Sequence, residues 1–111
     1  MITRYAMFEG TVKPGMTDAF RAAVQERLVP LWTKFPGATE VRVMFSEDRD
    51  EGAPEFPLIL AIGYADEAGM NSALESPFRF QSKDVTGEIV AEYFEGRIHH
   101  HVTLCHDFPV G

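Results

Sequence analysis

Residues 40–65 read EVRVMFSEDRDEGAPEFPLILAIGYA, and the fold turns on how this stretch is divided. From Glu40 to Ser46 apolar and polar residues alternate, with Val41, Val43 and Phe45 on one face, which is the period of a half-buried strand. Residues 47–55 are charged and contain Gly52 and Pro54, so they read as an exposed, mobile loop, long for a hairpin. Phe56 to Ala65 is continuously apolar, the pattern of a strand buried on both faces. With no helix between them, these two strands run antiparallel.

Upstream of this pair, Phe20, Ala23, Val24, Leu28, Leu31 and Phe35 recur at helical spacing and form one apolar stripe. Thr17 or Asp18 is placed to cap that helix. Pro30, which lacks a backbone donor, is expected to kink or end it near its last turns, and Pro36-Gly37 closes the segment. Before the helix, residues 2–12 alternate: Ile2, Ala6, Phe8 and Val12 face one way, Thr3, Tyr5, Met7, Glu9 and Thr11 the other. Lys13-Pro14-Gly15 breaks this first strand.

Downstream, Asp66 caps a short helix through Leu74. Ser76-Pro77 starts another, continued by Phe78, Val85 and Ile89, weakened in the middle by Gly87 and ended by Gly96. Arg97 to Cys105 forms the last strand. The order is strand, helix, strand, strand, helix, strand. That is a ferredoxin-like α+β arrangement, a four-stranded antiparallel sheet with helices on one face, in a single domain over residues 1–111. The other sheet face, with Tyr5, Met7, Met44 and one side of residues 56–65, is left open. Covering it with a second copy removes apolar area from water at about 25 cal/mol per Å². A symmetric homodimer is the simplest way to do so.

Composition narrows the partners. Ten basic against 17 acidic residues give a net charge of −7, which disfavours nucleic acid and anionic membrane surfaces. A single cysteine, Cys105, excludes an intramolecular disulfide. With a start, Met1 to Tyr5, that lacks a signal-peptide pattern, a cytoplasmic location is expected. G-x-G-x-x-G, P-loop, G-x-S-x-G and C-x-x-C motifs are all absent, so nucleotide cofactors, serine hydrolysis and thiol redox chemistry find no support.

The most unusual local feature is His99-His100-His101. On a strand His100 faces away from its two neighbours, and with Ile98, Val102 and Leu104 beside it, it is expected between sheet and helices. There a neutral imidazole serves as a general base, or is simply a core histidine satisfied by a local partner. His99 and His101 share the opposite face. They are either two metal ligands, needing a third such as Glu9 or His106, or polar residues lining a dimer interface. Trp32 is a pocket wall or plain core. Arg42, Arg79 and Tyr64 suit a carboxylate or phenolate, the alternative for each arginine being solvent or an ordinary ion pair.

Three places carry a family resemblance: Lys13-Pro14-Gly15-Met16-Thr17 followed by Phe20; Val29-Pro30-Leu31 followed by Phe35-Pro36-Gly37; and Ala73-Leu74-Glu75-Ser76-Pro77 followed by Asp84 and Phe94-Glu95-Gly96. On these the chain resembles the dimeric α+β barrel proteins, and among them the EthD-like group, named for a protein linked to ether degradation. The resemblance implies a ferredoxin-like protomer that pairs into a barrel, a ligand pocket between sheet and helices, and chemistry that needs no cofactor. Oxygenases and isomerases acting on small molecules are among such proteins. EthD-like members often carry His in an H-x-P-L motif at the first helix; the matching residue here is Leu28, so that histidine's role does not transfer. The resulting expectation is a cofactor-independent enzyme acting on a small apolar or aromatic molecule, with His100 as base. The alternative is a non-catalytic ligand-binding or structural dimer.

Overall fold

The first strand, β1 (Ile2–Val12), sits inside the sheet because its neighbours claim both edges: β3 (Leu58–Tyr64) pairs with it on one side and β4 (Phe94–Leu104) on the other. The remaining strand, β2 (Ala38–Phe45), pairs with β3, so the order is β2-β3-β1-β4 with every pairing antiparallel. The computed structural model describes residues 1–111. The register of β1 sets Ala6 opposite Leu60 and His100, and Phe8 opposite Leu58 and Ile98. These residues face the helices, as the alternation requires. Thr3, Tyr5, Met7 and Glu9 take the open face. β3 is buried along nearly its whole length, which its continuous apolar composition foretells.

The first helical segment is not the simple helix its stripe predicts. An α-helix, α1 (Thr17–Ala23), widens into a π-helical turn (Val24–Leu28) before α2 (Val29–Trp32). Pro30 lies just beyond the wide turn, at the start of α2. It cannot donate to the helical ladder and its ring crowds the carbonyl four residues back, and a wide turn relieves both problems. The extra residue in the turn advances the buried face by one position: Trp32 is buried, while Leu31, expected in the stripe, is only half-buried. Neither Thr17 nor Asp18 caps α1; Met16 occupies the N-cap, with no side-chain bond.

The second helical segment follows the sequence reading closely. Asp66 Oδ1 accepts from the Gly69 amide at 2.8 Å and starts α3 (Glu67–Leu74). Ser76 Oγ accepts from the Arg79 amide at 3.3 Å, with Pro77 as the first residue of α4 (Pro77–Tyr93). Gly96 does not end this helix. β4 already begins at Phe94, and Gly96 stands inside it, directly opposite Gly10. Both glycines have positive φ, +155° and +149°, and a Cβ on either would come within 2.1 Å of a carbonyl oxygen across the pair. Only glycine permits strands to approach this closely.

The core lies between sheet and helices. Phe94 packs against both Phe8 and Phe20, with ring centroids 5.9 and 6.2 Å apart. Leu28, Leu58, Tyr64 and Ile89 are fully buried around them. The loop between β2 and β3 is exposed but cross-braced. Arg49 donates to the Ala53 carbonyl at 2.9 Å and to Glu55 at 3.1 Å, and the Gly10 amide donates to the Glu55 carbonyl at 3.0 Å. No helix is long and apolar enough to cross a membrane. The architecture is the ferredoxin-like α+β sandwich.

Candidate functional site

The helices do not fill the whole sheet face. Beside the aromatic core a cavity of about 340 Å³ lies between the sheet, α2 and α4. Its floor is the helix-facing side of three strands: Ala6 and Phe8 from β1, Leu60, Ile62 and Tyr64 from β3, Ile98 and His100 from β4. Trp32 and Phe35, which follow the π-helical turn, form one wall. One face of α4, with Arg79, Ser82, Lys83, Thr86, Gly87 and Val90, forms the other. Lys83, Gly87 and His100 are all solvent-exposed, so the cavity opens between α4 and β4. A concave, mostly apolar space with a few converging polar groups is the usual form of a small-molecule site.

His100 is brought here by strand parity, across from Ala6 and next to Arg4. Partial burial, the guanidinium groups of Arg4 and Arg79, and then His99 and Lys83 push its pKa down to about 4. The imidazole is therefore neutral at physiological pH. Tyr64 is fully buried and its hydroxyl has no hydrogen-bonding partner in the chain. Burial raises its pKa above the ordinary phenol value, against the opposing pull of Arg4 and Arg79. Burial, aided by Arg79, lowers the pKa of Arg4 from the usual guanidinium value. These shifts describe a site crowded with positive charge.

Of the residues singled out from sequence, His100, Trp32, Tyr64 and Arg79 meet at this cavity. Arg42 does not join them. It lies opposite Ala61 on the open sheet face, is exposed, and donates to Glu40 at 3.1 Å. The ordinary ion pair is its actual fate. Two charged cavity residues escaped the sequence reading, Arg4 and Lys83. Arg4 had a signal: it shares its parity with Ile2, Ala6 and Phe8, so it is a charge set into an apolar face. Lys83 had a weaker one, standing four residues after Arg79 on the same helix.

His99 and His101 fall on the open face, opposite Met7 and Tyr5. His99 Nε2 lies 2.6 Å from Glu9 Oε1, which also accepts from Arg97 at 3.2 Å. These two bonds hold the Glu9 carboxyl below its usual pKa. Glu9, a candidate third ligand, thus meets His99, but the three groups a metal reading of the histidine pair requires do not converge: no three His, Cys, Asp or Glu side chains gather in a metal-binding arrangement. Cys105 is half-buried at the end of the sheet, its amide bonded to the Met1 carbonyl at 2.9 Å.

No family model and no curated protein matches the chain by sequence. Solved structures do match its fold. An EthD family protein from Bacillus halodurans superposes with a TM-score of 0.71 at 19% identity, over 96% of this chain and 99% of that one. SnoaB, a cofactor-independent oxygenase from Streptomyces nogalater, gives a TM-score of 0.64 at 13% identity, over 96% and 94% of the two chains. A dimeric ferredoxin-like protein of unknown function from Jannaschia gives 0.64 at 21%, over 94% and 98%. The chain thus has the ferredoxin-like α+β fold, shared with an EthD family protein, a cofactor-independent oxygenase and a dimeric ferredoxin-like protein, and the likeness is one of fold.

Proposed function

We propose that this protein is a cofactor-independent enzyme that acts on a small apolar or aromatic molecule held between the sheet and α4. The observation carrying this reading is the placement of a neutral imidazole, His100, at an otherwise largely apolar cavity of about 340 Å³. A guest of one or two rings lies against Phe8, Trp32 and Phe35, within reach of a group able to take a proton from an acidic O–H or C–H. Proton removal of that kind begins both the oxygenation of electron-rich aromatics and the isomerisation of enolisable compounds. The similarity in fold to SnoaB supports this class of chemistry without identifying a substrate.

The test is turnover of a panel of hydroxylated aromatics and enolisable lactones, followed by oxygen uptake and mass spectrometry, with His100→Asn beside the wild type. The expected outcome is turnover by the wild type and a loss of about 10²-fold or more in the variant, the usual scale of a missing general base. Unchanged turnover in the variant removes His100 from the role. One observation favours a second reading, a non-catalytic ligand-binding dimer: Leu28, at the position of the EthD-like histidine, is fully buried in the core. Under that reading a cavity ligand is bound and released chemically unchanged.

A further inference from the structure

The arginines of this chain divide cleanly. Five of the seven, Arg21, Arg27, Arg42, Arg49 and Arg97, sit within 4 Å of a carboxylate. The two without a carboxylate partner, Arg4 and Arg79, both line the cavity, and Lys83 joins them there, also unpaired. The cavity lining contains no Asp or Glu at all, in a chain with 17 acidic residues against 10 basic ones. The molecule is acidic as a whole and cationic at this one place.

That arrangement has a cost. Arg4 projects from a central strand and is half-buried, and a guanidinium taken out of water without a counter-ion loses solvation that nothing in the chain restores. A second polar group there is equally unanswered: the Tyr64 hydroxyl, wholly buried, has no acceptor or donor within the chain. Two guanidinium groups, an ammonium group and a phenol O–H are all donors. They are complemented by an acceptor carrying negative charge, and a planar carboxylate or phenolate oxygen suits the guanidinium fork best. The apolar floor and the Trp32–Phe35 wall suit the body of the same molecule.

We propose that the cavity's ligand is an aromatic or apolar acid, bound as its anion, with the acidic group held by Arg4 and Arg79. This rests on the reading of the cavity as the ligand site and adds to it the identity of the group recognised. Lys83 stands at the opening, where it meets the anion as it enters.

The test compares two probes with the same ring system, 2-naphthoate and its neutral counterpart 2-naphthamide, by isothermal titration calorimetry at pH 7 and low salt. The expected result is at least tenfold tighter binding of the naphthoate. In Arg79→Gln, on helix α4, that preference falls to threefold or less, because naphthoate affinity drops while that of the uncharged naphthamide changes far less. Arg4→Gln behaves alike, and Arg79→Lys keeps part of the preference. Equal binding of the two probes overturns the acid-recognition proposal and leaves the cavity as a site for neutral molecules. Binding of neither probe at millimolar concentration overturns both readings.

Discussion

At His100 partial burial and then several nearby cations act on one imidazole, and the consequence can be followed by titration. The free protein is expected to show a His100 NMR midpoint near 4 instead of the ordinary 6.5. Between those values the unfolded chain holds a proton that the folded chain refuses, so stability falls as pH drops through this window. His100→Asn removes that part of the slope. With 2-naphthoate bound, its negative charge offsets Arg4 and Arg79 and the midpoint rises; with 2-naphthamide it does not. A midpoint that ignores both ligands places the imidazole outside the binding event. His100 itself was legible from strand parity, because its flanking residues are apolar and its position is even-numbered like Ile98 and Val102. Arg4 obeys the same parity but was hidden by its type, since a charged residue in a strand is ordinarily read as solvent-facing. Arg42 shows the converse: its charge suits an anionic ligand, yet it pairs with Glu40, two residues back on the same face of β2, a local contact that strand parity already contains.

Among the elements, β1 and β4 depend on a pair of glycines and α4 tolerates one without needing it. Gly10→Ala forces a side chain into the Glu95 carbonyl at positive φ, and a loss of about 2 kcal/mol or more is expected in urea unfolding. Gly87→Ala is expected to gain about 0.5–1 kcal/mol, because Gly87 lies in the body of a helix and a Cβ there meets nothing within 4 Å. A neutral result at Gly10 contradicts the close approach of the two strands. Strand periods and the two helix caps at Asp66 and Ser76 were readable because each is a local signal. The π-helical turn was not, because a stripe of Phe20, Ala23, Val24 and Leu28 is the same in either helical form. The displaced hydrogen bonds show only afterwards, when Trp32 replaces Leu31 on the inner side.

In the whole molecule, the sheet face away from the helices presents Tyr5, Met7, Ile59 and Met44, the last 40% exposed. A second copy covering this face is the expectation that its apolar composition raises. Sedimentation equilibrium is expected to show a dimer for the wild type and a monomer for Met44→Glu, which sets a charge into the contact. A wild-type monomer at micromolar concentration ends that expectation. The charge distribution has a kinetic consequence as well. An anion approaching from afar senses the net −7 of the chain and is slowed, whereas within the cavity it senses only cations and is retained. Raising the salt toward physiological levels shortens the reach of the outer repulsion to about 8 Å and leaves the enclosed attraction less affected. Capture of the acid therefore quickens with moderate salt while its release changes little, the reverse of a site whose rim and interior share one sign.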